Sequence, residues 1–211
     1  SIGFNFSEVE TKIREFDNNR INLVFIIDKG NKTKISKISF IGDKKIKEKR
    51  LRDIIVSEES KFWKFITNNT NLNYENIELD KRLLKNYYKS NGYYDVEVLS
   101  SNAEITEDGY TSLTYNINAG SRYKIKKIST NIVESLDKNF FLPINKEFIK
   151  YVGEYYSPFK IKKLLDSLDR LIAENDLQFI EHSVNEIIDS DGIEVKINIF
   201  EGTKQLVERV D

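Results

Sequence analysis

Chemistry in a protein begins with side chains that titrate, ligate or attack, and this 211-residue chain offers few of them. It has one histidine, His182, and no cysteine, which removes thiol nucleophiles, disulfides and thiolate metal sites together. His182 shares strand parity with Ile180 and Val184, so a structural place at a core margin is expected. The carboxylates of Glu58 and Glu59, and of Asp166 and Asp169, read as solvated faces. A metal site would need carboxylates alone, and no Asp-x-Asp-x-Asp loop is present. Glycine-rich phosphate loops are absent, and one histidine among many serines singles out no triad. The residues read as non-enzymatic, with no catalytic, cofactor-binding or metal site and no cofactor.

Two stretches could bind rather than react. The run from Lys44 to Arg52 could meet an acidic partner, lipid headgroups or nucleic acid. Glu48 and Asp53 dilute it and no aromatic stacking platform accompanies it, so it reads as the exposed side of a helix. Phe62, Trp63 and Phe65 sit in a loop rich in Asn and Lys, and three aromatics in four positions are costly to leave in water. They either fold back onto their own unit or anchor a partner. Loss of stability in Trp63→Ala marks the first case; normal stability with lost binding marks the second.

What must position such residues is a repeat. Three times a strand runs into an acidic or amide residue and a glycine, and a second strand restarts soon after. The glycines are Gly30, Gly120 and Gly202, spaced by 90 and 82 residues (30 to 120, and 120 to 202). Self-similarity on that scale means tandem small domains. Residues 31–120 and 121–202 are complete units, 1–30 the closing hairpin of a preceding unit, and 203–211 the first strand of a following one. The chain therefore reads as a segment of a longer protein. Its 33 basic and 34 acidic residues nearly cancel, giving no global pull toward nucleic acid or anionic membrane. No apolar run approaches the ~20 residues a membrane helix needs, and Leu23–Ile27 reads as a buried strand.

Within the first unit, Ile35, Ile38, Phe40 and Ile41 predict a strand ending at Gly42-Asp43. Leu51, Ile54 and Ile55 have helical spacing within Lys47–Ser57. A second helix over Glu75–Asn91 places Ile77, Leu84, Tyr87 and Tyr88 on one face, and Asn91-Gly92 ends it. Tyr94, Val96 and Val98 alternate with Asp95 and Glu97, Asp108-Gly109 signals a hairpin, and Leu113, Tyr115 and Ile117 return. The second unit repeats this. Ile125 and Ile128 open it, and Asn145 can cap a helix carrying Phe148 and Val152. Ser157-Pro158 starts the next helix, with Ile161, Leu164, Leu165, Leu168, Leu171 and Ile172 on one face. Ile180, His182 and Val184 alternate, Asp191-Gly192 turns, and Ile193, Val195, Ile197 and Ile199 return. Before them, Phe4–Ile13 and Ile21–Ile27 predict a hairpin turned by Asp17-Asn18-Asn19. The class is α+β, with tandem β-α-α-β-β repeats.

This order, with its glycine junctions, resembles the POTRA (polypeptide-transport-associated) domain. More closely it is similar to the periplasmic arm of BamA-type outer-membrane assembly factors. Lys61-Phe-Trp-Lys-Phe65, Asn73-Tyr74, Leu83-Leu84, Tyr87-Tyr88 and Gly92-Tyr-Tyr-Asp95 carry the likeness. They resemble the third repeat of a five-repeat arm, with 1–30 similar to the end of repeat two, 121–202 to repeat four and 203–211 to the start of repeat five. Gln178-Phe179 departs from the Gly-Tyr usual after the second helix.

The resemblance implies two helices on a three-stranded mixed sheet, with the second strand at an edge. It implies a non-enzymatic scaffold in the periplasmic portion of an outer-membrane protein, attached to its own C-terminal membrane barrel. Unfolded outer-membrane β-barrel proteins would add a strand to that edge, and accessory lipoproteins of the assembly complex would dock nearby. The edges expected are Tyr94–Ser100 (Tyr94, Asp95, Val96, Glu97, Val98, Leu99, Ser100) and Phe179–Asn185. Proline at Val96 or Val98 is expected to weaken docking. Gly30-Asn31, Gly120-Ser121 and Gly202-Thr203 are the expected hinges. Two other readings are an arm of another translocation or secretion pore, and a nucleic-acid-binding α/β repeat using the Lys44–Arg52 face.

Overall fold

The computed structural model describes residues 8–16, 20–28, 33–61, 70–106, 108–175, 177 and 179–202. It opens on a hairpin, in which β1 (Glu8–Phe16) pairs antiparallel with β2 (Arg20–Asp28), Phe16 opposite Arg20. The Leu23–Ile27 run expected to be buried is exposed instead: Leu23 is 50%, Phe25 57% and Ile27 60% accessible. Among the described strands β2 pairs with β1 alone, and the two form a sheet of their own.

Two β-α-α-β-β sets follow. The first is β3 (Ile35–Asp43), α1 (Glu48–Ile54), α2 (Tyr74–Ser90), β4 (Glu97–Ile105) and β5 (Thr111–Asn118). The second is β6 (Ile125–Ile132), a 3-10 turn (Lys138–Phe141) leading into α3 (Leu142–Phe148), then α4 (Pro158–Glu174), β7 (Ile180–Asp189) and β8 (Gly192–Glu201). The last strand lies at the centre of each sheet, in the orders β3-β5-β4 and β6-β8-β7. It pairs parallel with the first strand and antiparallel with the second. The fold is therefore α+β with mixed three-stranded sheets.

The central strands show why. Thr111, Leu113, Tyr115 and Ile117 of β5 are buried in alternation, as are Ile193, Val195, Ile197 and Ile199 of β8. Such period-two burial presents one continuous apolar face to the helices. In the first set Leu51 of α1 and Ile77 and Leu84 of α2 are buried, along with Ile35, Ile38 and Phe40 of β3. In the second, Phe141, Ile144, Phe148, Ile161, Leu164 and Leu168 gather with Ile125 and β8 in one cluster. Proximity divides the chain into Ser1–Tyr87 with Val96–Ala119, and Tyr88–Asp95 with Gly120–Asp211.

Several expected details differ. Asn145 does not cap a helix; it lies inside α3, which begins at Leu142 because Pro143 suits a first turn. Ile41 points outward, 49% exposed, and Val152 lies beyond α3. The β7–β8 loop is Ser190-Asp191, with Asp189 opposite Gly192, one residue earlier than expected. Ser157 stands at the N-cap of α4 as expected, though its hydroxyl makes no capping bond.

Candidate functional site

Each three-stranded sheet has two edge strands, and the second strands, β4 and β7, are one edge of each. Strand β4 begins at Glu97 and runs to Ile105, so the expected Tyr94–Ser100 edge is displaced. Tyr94 and Asp95 lie in the turn before it, and Val96 is buried, 1% exposed. The physical reason is a backbone turn: Gly92 has φ +92°, and the Tyr93 and Tyr94 N–H groups donate back to the Tyr88 and Gly92 carbonyls rather than to a ladder. Glu97 and Val98 pair with Asn118 and Ile117, and a register shift between Val98 and Ser100 leaves Leu99 bulged and 57% exposed. Ser100 then faces Asn116.

Hairpin geometry fixes which backbone groups face out. The Thr106 N–H donates to the Tyr110 carbonyl at 2.7 Å, closing the hairpin over Gly109, whose φ is +75°. With Glu104 opposite Ser112 and Asn102 opposite Thr114, those residues bond to β5. Ser101, Ala103 and Ile105 then aim their N–H and C=O groups away from the sheet. Among the described residues none of these groups has a partner. The same reasoning from the Gly202 N–H, which donates to the Phe179 carbonyl, turns Ile180, His182, Val184, Glu186 and Ile188 of β7 outward. The expected edge at Phe179–Asn185 thus runs from Ile180 to Asp189. Phe179 precedes the strand with φ +63°, a left-handed value rare for a non-glycine residue.

Beside β7 the second unit holds a groove of about 460 Å³, walled by Pro158, Ile161 and Leu165 of α4, Val184 of β7, and Tyr94 and Tyr156. The two hydroxyls donate to the two oxygens of one carboxylate: Tyr94 to Glu186 Oε2 at 2.8 Å, Tyr156 to Oε1 at 2.6 Å. The rings meet edge to face, centroids 5.0 Å apart. Burial, reinforced by the bond to Glu186, pushes the Tyr94 hydroxyl up to about 12 and raises that of Tyr156 further. Asp95 accepts from the Tyr123 hydroxyl at 2.9 Å. Neither Tyr156 nor Glu186 stood out in the sequence, because their partner Tyr94 lies 92 residues from Glu186.

The other singled-out residues scatter. Phe62, Trp63 and Phe65 lie outside the described residues, as do Gly30, Asn31 and Thr203. Gly120 has φ +66° and Ser121 is exposed. Within the Lys44–Arg52 run several cations have local partners. Lys44 meets the Phe40 carbonyl and Glu48, Lys45 meets Asp43, and Arg50 donates to the Tyr87 hydroxyl at 3.0 Å. Arg52 meets Glu59, so Glu59 is no solvated carboxylate. Asp169 stays solvated as expected, 61% exposed, while its Oδ1 lies 2.8 Å from His182 Nε2, whose side chain is 20% exposed. Asp80 of α2 was missed altogether. It is fully buried and accepts from the Tyr115 hydroxyl at 2.6 Å and from the Val56 N–H at 2.5 Å. A charged residue between Ile77 and Leu84, on the apolar helical face, was its signal. Among the described residues no group of three His, Cys, Asp or Glu could hold a metal ion, and no helix is long and apolar enough to cross a membrane.

The family model described as "POTRA: Surface antigen variable number repeat" matches residues 33–120, and those residues belong to it. Beyond those residues the chain is similar to POTRA-repeat segments of BamA proteins. It is 20% identical over 210 residues to outer membrane protein assembly factor BamA from Neisseria meningitidis, covering 96% of this chain and 26% of that protein. With the BamA of Nitratidesulfovibrio vulgaris identity is 30% over 106 residues, covering 50% and 13%. Among solved structures, Haemophilus influenzae BamA POTRA3-5 matches with a TM-score of 0.55 at 14% identity, covering 96% of this chain and 74% of that one, a likeness of fold. The chain spans about a quarter of the length of the first two curated relatives it matches.

Proposed function

We propose that this chain is a non-catalytic stretch of the periplasmic arm of an outer-membrane protein, working in outer-membrane protein assembly. It receives unfolded β-barrel proteins by strand addition and holds accessory subunits of the assembly machine. The observation that carries this reading is the outer side of β4, where Ser101, Ala103 and Ile105 leave their backbone groups unpartnered among the described residues. Main-chain bonding needs no particular client sequence, which suits a receptor for many different barrel strands. The relatives named BamA, an outer membrane protein assembly factor, support the setting. Partners already taken by Lys44, Lys45, Arg50 and Arg52 argue against a nucleic-acid face at the basic run.

Because the chain has no cysteine, one can be placed at will. Ala103→Cys is expected to form a disulfide with an unfolded outer-membrane barrel protein carrying a single cysteine in its last strand. The same cysteine moved to exposed Lys162 on α4 should not. Equal cross-linking at both positions would remove β4 as the receiving edge.

A further inference from the structure

Each sheet has two edges, so an extended partner of the first unit could in principle add to β3 as well as to β4. The outer side of β3 is already occupied. The Ala119 N–H donates to the Asp43 carbonyl, which sets the parity of the parallel pairing and turns the backbone N–H and C=O groups of Ile38 and Phe40 away from β5, while their side chains stay in the core. The Ile38 N–H donates to Glu59 Oε1 at 2.9 Å. The Ile38 carbonyl accepts from the Arg52 guanidinium, which also pairs with Glu59. Further along, the Phe40 carbonyl accepts from Lys44 Nζ at 2.7 Å, and at the strand's start the Ile35 carbonyl accepts from the Ser60 N–H at 2.7 Å. The Arg52 guanidinium carbon also lies over the Phe40 ring, 5.8 Å from its centroid.

A partner strand would offer Ile38 one carbonyl and one N–H. Here a carboxylate and a guanidinium supply that acceptor and that donor, and satisfy each other. An ordinary surface ion pair contributes little and has no reason to aim both ends at one backbone residue. Exposed strand edges invite pairing with other chains, and proteins blunt them by covering them.

We infer that Arg52 and Glu59 form a surrogate strand that closes the β3 edge, so that an extended partner adds to the first unit only at β4. The choice of β4 rests on the strand-addition reading above; the closure of β3 stands apart from it. The second unit provides the contrast. At the start of β6, the Ile125 N–H donates to the Glu154 carbonyl and the Ile125 carbonyl accepts from the Gly153 N–H. Beyond that, the outward groups of Ile128 and Thr130 meet no partner among the described residues.

Amide hydrogen exchange on the 211-residue chain tests closure directly. The Ile38 amide is expected to exchange on the order of tenfold more slowly than that of Ile128, the protection of one retained hydrogen bond. Equal rates in the unaltered chain overturn the inference without any variant. Glu59→Ala, or the milder Glu59→Asp that draws the carboxylate back, should release Ile38 while Ser39 and Ile41, which face β5, stay protected. A short peptide of alternating valine and threonine then separates the two claims. Within the first unit it should shift the amides of Ser101, Ala103 and Ile105 alone in the unaltered chain, and those of Ile38 and Phe40 as well in the Glu59 variants. Within the first unit, shifts confined to β4 in a folded variant overturn the surrogate strand. Absence of shifts at β4 in every chain instead sinks the strand-addition reading, and leaves closure to the exchange rates.

Discussion

At the scale of single residues, the buried polar groups explain more than the charged surface does. Asp80 is a carboxylate in an apolar interior, tolerable because a phenol and two backbone N–H groups face it. Tyr115→Phe removes one donor while the carboxylate stays buried. We expect a loss of about 1–3 kcal/mol, read as a lower urea midpoint at unchanged slope. Three phenols, Tyr94, Tyr115 and Tyr156, are held above their usual value by burial and a carboxylate neighbour. Each folded-state proton is then held more tightly than in the unfolded chain, whose tyrosines titrate near ~10. Stability is therefore fully present below that pH and falls as pH rises through it toward about 12 for Tyr94. Alkaline denaturation should follow this course, and Tyr94→Phe should flatten the early part of the fall; an unchanged profile would contradict the assigned bond to Glu186. Asp80 was legible in principle from its helical position, because Ile77 and Leu84 flank it on the apolar face. Glu59 was not, because nothing local distinguishes a carboxylate aimed at a distant strand from one aimed at water.

At the scale of elements, period-two and helical spacing were enough to recover the order β-α-α-β-β, since each central strand and each helix buries one face. Boundaries failed where a turn or a proline set an element's start. Tyr94 fits the alternation of a strand, but its N–H donates to the Gly92 carbonyl in a turn and β4 starts only at Glu97. Asn145 reads as a cap, but Pro143 had already begun α3. The turn before β4 depends on Gly92, whose φ is +92° and whose added Cβ would lie 3.1 Å from the Tyr123 carbonyl oxygen. Gly92→Ala should therefore cost roughly 1–3 kcal/mol, measurable by thermal denaturation. A different outcome is expected on the edge itself. The Ala103 N–H faces outward, so Ala103→Pro removes no ladder bond and should cost no more than about 1–2 kcal/mol while removing strand addition. Proline at Val96, suggested by the alternation alone, would instead disturb a buried position before the strand.

At the scale of the whole molecule, the repeat was the most legible property, because its glycine-marked junctions recur at near-constant spacing. The exposure of the opening hairpin was not: Leu23–Ile27 has the composition of a buried strand, and burial depends on what packs against it. Val9, Ile13, Ile21, Leu23, Phe25 and Ile27 are all exposed on β1 and β2. Contiguous apolar surface of this kind associates in water. Sedimentation should show concentration-dependent self-association that Leu23→Thr with Phe25→Thr reduces, threonine keeping the strand preference. The central claim concerns the receiving edge, and amide shifts on titration with a peptide from the last strand of an outer-membrane barrel address it most directly. Shifts centred on Ser101, Ala103 and Ile105 are expected, reproduced by a barrel peptide of unrelated sequence. No shift there at about millimolar peptide, or shifts that depend on one particular sequence, would contradict it.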